Sequence, residues 1–112
     1  MKSRPDVYLK FLSLTAEAPS DIAPLDPLEN RIVHIVALAG YKHERLSVSD
    51  LLARSELASR ATLHSRLKSM HKKGWLRFAD TEDSRRKQLE LTTAAHRHLE
   101  WLSECFLRAL SD

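Results

Sequence analysis

A single cysteine among 112 residues rules out an internal disulfide and a cysteine-based metal cluster, which fits a reducing, cytoplasmic setting. Two glycines and four prolines are too few for an all-β fold rich in tight turns or for a disordered chain. No apolar run approaches the roughly 20 residues of a membrane span, and no charged-then-apolar leader opens the chain. There is no Gly-rich phosphate loop, no serine at a strand-to-helix elbow, and no carboxylate with a partner that would tune proton transfer. His34, His43, His64 and His71 show no ligand spacing with cysteine or a carboxylate pair, and His96 and His98 are two apart on a helix and point different ways. An enzyme, a cofactor, a metal site and a membrane partner are therefore not expected.

The sequence does contain an apolar share of 43 %, enough for one domain with a small core that leaves room for association with a second chain. It also has an uneven charge. Residues 1–59 hold 7 Lys/Arg against 8 Asp/Glu, and residues 88–112 hold 2 against 4. Residues 60–87 hold 9 against 3, so the whole excess behind the net +3 lies in that segment. Such an asymmetry points to a polyanionic partner.

Residues 5–18 read as a helix, with Pro5 in its first turn and Val7/Tyr8, Phe11/Leu12 and Thr15 at helical spacing. Pro19, Ser20 and Pro24 then form a linker. Asp26-Pro27-Leu28-Glu29 is the strongest helix start in the chain: an acidic N-cap, a proline at the first helical position and a glutamate able to reach back. Leu28, Ile32, Ile35, Val36 and Ala39 make the apolar face of that helix, and Gly40 with the polar run KHER ends it. Arg45-Leu46-Ser47 is expected to add a brief third strand to the hairpin that follows.

From Leu46 to Thr92 the pattern gives a helix, a tight turn, a second helix and a basic hairpin. Ser47 and Asp50 resemble a capping box ahead of Val48, Leu51 and Leu52. Ser59 suits the N-cap of the second helix and Gly74 its C-terminal stop, with Leu63, Leu67 and Met70 on one inward stripe. The period then changes to two at Leu76/Phe78 and Leu89/Leu91, joined by the polar loop DTEDSRR. The expected fold is mainly α: a winged helix-turn-helix with a small antiparallel β-hairpin wing and flanking N- and C-terminal helices. Residues 1–24 supply the N-terminal helix and linker, 25–92 the DNA-binding core, and 93–112 a C-terminal helix capped by Thr92 or Thr93. Leu99, Leu102, Phe106 and Ala109 form one stripe of that last helix, and Trp101, Cys105 and Leu110 widen it. A stripe of that width is either one deep core contact or a surface for two partners, which makes Tyr8, Phe11, Leu12, Trp101, Cys105 and Leu110 candidate dimerisation residues.

An α-helix fits the major groove and meets base edges with its N-terminal half. Opposite Leu63, Leu67 and Met70, the second helix presents Ser59, Arg60, Ala61, Thr62, His64, Ser65 and Lys68. Arg60 can donate two hydrogen bonds to guanine, and Ala61 can pack on a thymine methyl. Lys68, Lys72 and Lys73 stand where phosphate contacts would position a duplex. A basic helix face alone is usually only solvated; what favours binding here is its place after a capped helix and before a basic hairpin. At the hairpin tip, Arg85, Arg86 and Lys87 can meet the negative potential of a narrow minor groove. Asp83 would either orient a neighbouring guanidinium or serve only as a turn former. Cys105, among Trp101, Leu102 and Phe106, reads as a buried inert thiol rather than a redox switch.

The Asp83-x-Arg85 wing motif, the Leu89-Glu90-Leu91-Thr92 that follows it, and the Lys73-Gly74-Trp75-Leu76-Arg77 passage together resemble the DNA-binding core of the MarR family of regulators. The resemblance covers residues 46–95 well and 26–45 loosely. It implies a homodimer on a pseudo-palindromic operator, usually a repressor, sometimes released by a small aromatic effector or by thiol oxidation. It also places Ser59 to Lys68 in the major groove and Arg85 in the minor groove. Two features depart from the family pattern: one helix rather than two follows Thr92, and Ala94-Ala95 replace the glycine that commonly follows the Leu-Thr pair. The alternative is a winged-helix adaptor that binds a protein partner and touches DNA only weakly.

Overall fold

Every helix from residue 27 onward begins on a side chain that accepts one of its unpaired backbone N–H groups. A computed structural model describes residues 4–17, 22–83 and 85–111; Pro19 and Ser20 of the expected linker, and Ser84 at the hairpin tip, lie outside the described residues. The elements run α1 (Arg4–Ala16), α2 (Pro27–Tyr41), α3 (Val48–Leu52), α4 (Arg60–Lys72), β1 (Leu76–Asp80), β2 (Lys87–Leu91) and α5 (Thr93–Leu110). Asp26 Oδ1 accepts the Glu29 N–H (2.8 Å) while Glu29 Oε1 accepts the Asp26 N–H (3.1 Å), which closes a capping box at α2. Ser47 and Asp50 close a second at α3 (3.0 and 2.9 Å). Ser59 Oγ caps α4 through the Thr62 N–H (3.2 Å), and Thr92 Oγ1 caps α5 through the Ala95 N–H (3.1 Å). Caps of this kind stabilise by about 1 kcal/mol each.

At the other end of α4 the chain reverses on Gly74, whose φ of +87° lies in the left-handed region. The Gly74 N–H donates to His71 O (3.1 Å) and the Trp75 N–H to Met70 O (2.9 Å), the paired bonds of a Schellman stop. α2 ends differently from the expectation. Its helix passes through Gly40 to Tyr41, and His43, at φ 57°, takes the left-handed turn instead. The His43 N–H to Gly40 O (3.1 Å) and Glu44 N–H to Ala39 O (2.8 Å) bonds hold that turn.

β1 and β2 pair antiparallel, Leu76 opposite Leu91 and Phe78 opposite Leu89, so these side chains share the face turned to the helices. Asp80, expected in the loop, belongs to β1 and faces Lys87. The expected third strand at Arg45-Leu46-Ser47 reduces to one bridge, Ser47 to Gln88, beside a Leu89 N–H to Leu46 O bond of 2.8 Å. The reason is local: Ser47 is already the N-cap of α3, so the backbone turns helical before a ladder can grow. The link between α3 and α4 is likewise not a tight turn. It runs over residues 53–59 in successive turns, with Leu57 and Ala58 packed against the core.

Ile32, Val33 and Val36 of α2, Leu51 and Leu52 of α3, Leu63, Leu67 and Met70 of α4, and Trp75, Leu76, Leu89, Leu91 and Ala95 form one buried cluster. Val33 joins α2's inward face, whereas Leu28, Ile35 and Ala39 are only half-buried. The Trp75 indole N–H donates to Ala23 O (2.7 Å), which ties the segment before α2 to the hairpin entry.

α1 packs along α5 away from this cluster. Phe11 meets Phe106 edge to face (centroids 6.0 Å apart), and Lys10 Nζ donates to Ser111 O (2.8 Å). Cys105 and Ala109, the buried residues of the second half of α5, lie outside the helix-turn-helix core. The expected inward stripe is corrected accordingly: Ala109 is buried, Leu99 and Leu102 are half-buried, and Phe106 is exposed. The arm lengthens the molecule to 54 × 27 × 24 Å, with a radius of gyration of 16.1 Å. A compact chain of this length would have about 13 Å. No helix among the described residues is long and apolar enough to cross a membrane.

Candidate nucleic-acid interface

Leu63, Leu67 and Met70 anchor one face of α4 in the core, and this leaves Ser59, Arg60, Ala61, Thr62, His64, Ser65, Lys68 and Lys72 exposed on the rest of the helix and its cap. Ser59 Oγ also donates to Thr62 Oγ1 (2.9 Å), so these two hydroxyls are engaged with each other. Arg60, Lys68 and Lys72 make no ion pair among the described residues, and their charges face solvent. Two other cations of the segment pair with acids at the start of α2. Lys73, expected at phosphates, sits with Nζ at 3.1 and 3.3 Å from the two carboxylate oxygens of the buried Glu29. Arg66 pairs with Asp26. Sequence reasoning assigned Asp26 and Glu29 to capping only, because their cationic partners lie 40 or more residues away on another helix.

At the wing, Asp83 Oδ1 accepts the Arg85 backbone N–H (3.0 Å) and faces its Nε (3.4 Å). The carboxylate fixes the base of the Arg85 side chain, while the side chain itself remains 89 % exposed. The Thr81 hydroxyl lies within reach of the Asp83 and Arg86 carbonyls (2.7 and 2.8 Å) and donates to one at a time, and the Arg86 N–H to Asp83 O bond (2.9 Å) closes the tip.

The neighbouring cations are held differently. Arg86 turns back toward the start of α3, its Nη2 3.5 Å from Ser47 Oγ and 3.8 Å from Asp50 Oδ1. Hydrogen bonds from the Ser47 backbone and hydroxyl, reinforced by the Arg86 charge, hold the Asp50 carboxyl below the usual carboxylate range. Lys87 pairs with Asp80 across the ends of the strands, and its hydrogen bond and charge lower the Asp80 carboxyl as well. Among the three wing cations Arg85 is the most exposed, its guanidinium reaching outward from the Asp83 anchor. The wing is keyed to α4 by the stacking of His71 on Phe78 (centroids 4.7 Å apart, planes 18° apart).

The candidate dimerisation residues divide. Tyr8, Leu12 and Leu110 are exposed, Phe11 and Trp101 are half-buried, and Cys105 is buried within the chain itself. Leu9 and Leu107, not singled out by the helical stripe, are among the most exposed apolar side chains of the arm (59 and 64 %). Among the described residues no group of three or more His, Cys, Asp or Glu is placed to hold a metal ion. A cleft of about 510 Å³ opens between α2, β2 and α5, lined by Val36, Tyr41, Glu44, Leu91, His96 and Leu99 among others.

No protein-family model matches the chain, and no curated protein sequence matches it. Solved structures do. S. aureus MepR bound to ethidium bromide is similar with a TM-score of 0.66 at 17 % identity, over 93 % of this chain and 69 % of that one. The heme sensor protein PefR from Streptococcus agalactiae, in complex with heme, is similar with a TM-score of 0.58 at 25 % identity, over 92 % and 65 %. The adhesin competence repressor AdcR from Streptococcus pyogenes is similar with a TM-score of 0.52 at 25 % identity, over 97 % and 80 %.

Proposed function

Since the chain carries the winged-helix fold of MarR-family regulators, we propose that it is a DNA-binding transcriptional regulator acting as a homodimer, with α4 in the major groove and the wing in the minor groove. The observation that carries this reading is the set of cations left exposed to solvent. Arg60, Lys68 and Lys72 on α4 are exposed with no ion pair among the described residues, and Arg85 on the wing, anchored at its base by Asp83, keeps its side chain 89 % exposed, whereas Arg66 and Lys73 are tied to Asp26 and Glu29. Exposed Arg and Lys in a net +6 segment are the chemistry that displaces counterions from a duplex.

A dimer would place two such units on half-sites about one helical turn apart, hence on a two-fold symmetric operator. The exposed apolar residues of the α1–α5 arm supply the surface for pairing. Repression is the expected sign, as for the adhesin competence repressor AdcR. The cleft between α2, β2 and α5 is the candidate place for a small-molecule effector, since MepR and PefR hold ethidium and heme.

Selection from a random duplex library tests the reading directly. Enrichment of a two-fold symmetric motif is expected. No enrichment, together with sequence-blind binding, would favour the adaptor, for which the same exposed arm would be the docking surface.

A further inference from the structure

We propose that the capping box of α2 is also the socket that sets the roll of α4, with Asp26 and Glu29 as positioning residues acting through Arg66 and Lys73. The proposal rests on the DNA-binding reading and adds to it the device that decides which face of α4 meets the duplex. Packing of Leu63, Leu67 and Met70 turns one face of α4 into the core, but the hydrophobic effect behind it is itself non-directional. Ion pairs and hydrogen bonds have direction.

Arg66 and Lys73 are seven residues apart, two helical turns, so they lie on one side of the helix and its cap. Their partners are adjacent in space because the capping box brings them together: Asp26 Oδ1 and Glu29 Oε1 each accept the other's backbone N–H (2.8 and 3.1 Å). Asp26 then pairs with Arg66, and Glu29 receives Lys73 on both oxygens (3.1 and 3.3 Å). Two attachment points separated along a helix fix its rotation as one cannot. Glu29 is 1 % exposed, and a carboxylate so buried requires its cation in place. The register is therefore set with little freedom. With that side held inward, Arg60, His64, Ser65 and Lys68 are the residues turned outward.

The test compares affinity for the duplex enriched by selection with affinity for a scrambled duplex. It uses the wild type, Lys73→Arg, the double variant Glu29→Leu with Lys73→Met, and Arg66→Met, each with its thermal unfolding midpoint. The double variant removes both charges, so net charge is preserved and no buried carboxylate is left unpaired; apolar replacement of a buried pair usually preserves folding. Lys73→Arg keeps the cation and is expected to keep the wild-type ratio. The double variant is expected to unfold somewhat below the wild-type midpoint, because the Asp26 N–H loses its Glu29 acceptor, and to bind the scrambled duplex as wild type does. Its preference for the selected duplex is expected to fall about tenfold, the scale of a misread base pair. If the double variant fails to fold, Arg66→Met, at the half-exposed pair, carries the same comparison, with a smaller expected loss. Preference retained within about twofold in the folded variants would overturn the proposal and leave the DNA-binding reading standing. A wild type with no preference would overturn that reading, and the proposal with it.

Discussion

His98 stands edge-on to Trp75 (centroids 5.1 Å apart) and tilted against Trp101 (5.7 Å), and burial there lowers its pKa below the ordinary histidine value. The folded chain therefore binds a proton at this site less readily than the unfolded one. Its contribution to stability is complete above the unfolded value of about 6.5 and is lost as pH falls through the lower folded value. Thermal unfolding followed from pH 7.5 down to pH 5 is expected to show a falling midpoint, and His98→Phe is expected to flatten part of that slope. At the wing, Arg85→Ala is expected to weaken operator binding most at A·T-rich flanks, where the minor groove narrows. Arg60→Ala is expected to relax preference at one base position by about 1–3 kcal/mol, the usual worth of a bidentate contact to guanine. Gel-shift titrations against single-base variants of the operator separate the two. An Arg85→Ala variant with undiminished affinity would remove the wing from the interface.

The two glycines show how the same change takes opposite signs in different elements. Gly74 holds the left-handed turn between α4 and β1, so Gly74→Ala costs about 1–2 kcal/mol through backbone strain alone, with no atom within 4 Å of the added carbon. Gly40 lies inside α2 with nothing within 4 Å either, so Gly40→Ala is expected to stabilise by about 0.5–1 kcal/mol. Urea unfolding of both variants checks the pair. The sequence cues at Gly74 and Gly40 look alike, and only Gly74 ends a helix by turning left-handed. This marks the limit of reading elements from local signals. Asp26, Ser47, Ser59 and Thr92 are legible as caps because each acts on a neighbour three residues away. Strand register follows from the alternation of Leu76, Phe78, Leu89 and Leu91 for the same reason. The partners of Lys73, Arg66 and Arg86 were not legible, since each charge finds its counterpart on an element that only tertiary packing brings near. Three cations counted in the basic stretch thus serve the fold.

Across the whole molecule, the winged body was readable because its parts follow one another in sequence, whereas the arm joins helices from opposite ends of it. The width of the apolar stripe on α5 hinted at two partners. One is α1 of the same chain, which accounts for Cys105 and Ala109 being buried. Tyr8 and Leu9 of α1 and Leu107 and Leu110 of α5 stay exposed on the arm. Sedimentation at tens of micromolar is expected to show a dimer for the wild type. It is expected to show a folded monomer for Leu107→Asp, since that side chain contributes little to the core of a single chain. A wild-type monomer would take the paired half-sites with it. The tether of α1 has its own consequence. None of its residues is fully buried, and its bond from Lys10 reaches Ser111, 101 positions along the chain. A helix held by so shallow a contact, and closing so long a loop, opens before α2 or α4. Its amide protons should therefore exchange with solvent fastest in dilute solution and slow as protein concentration rises, making α1 a built-in gauge of self-association that needs no label.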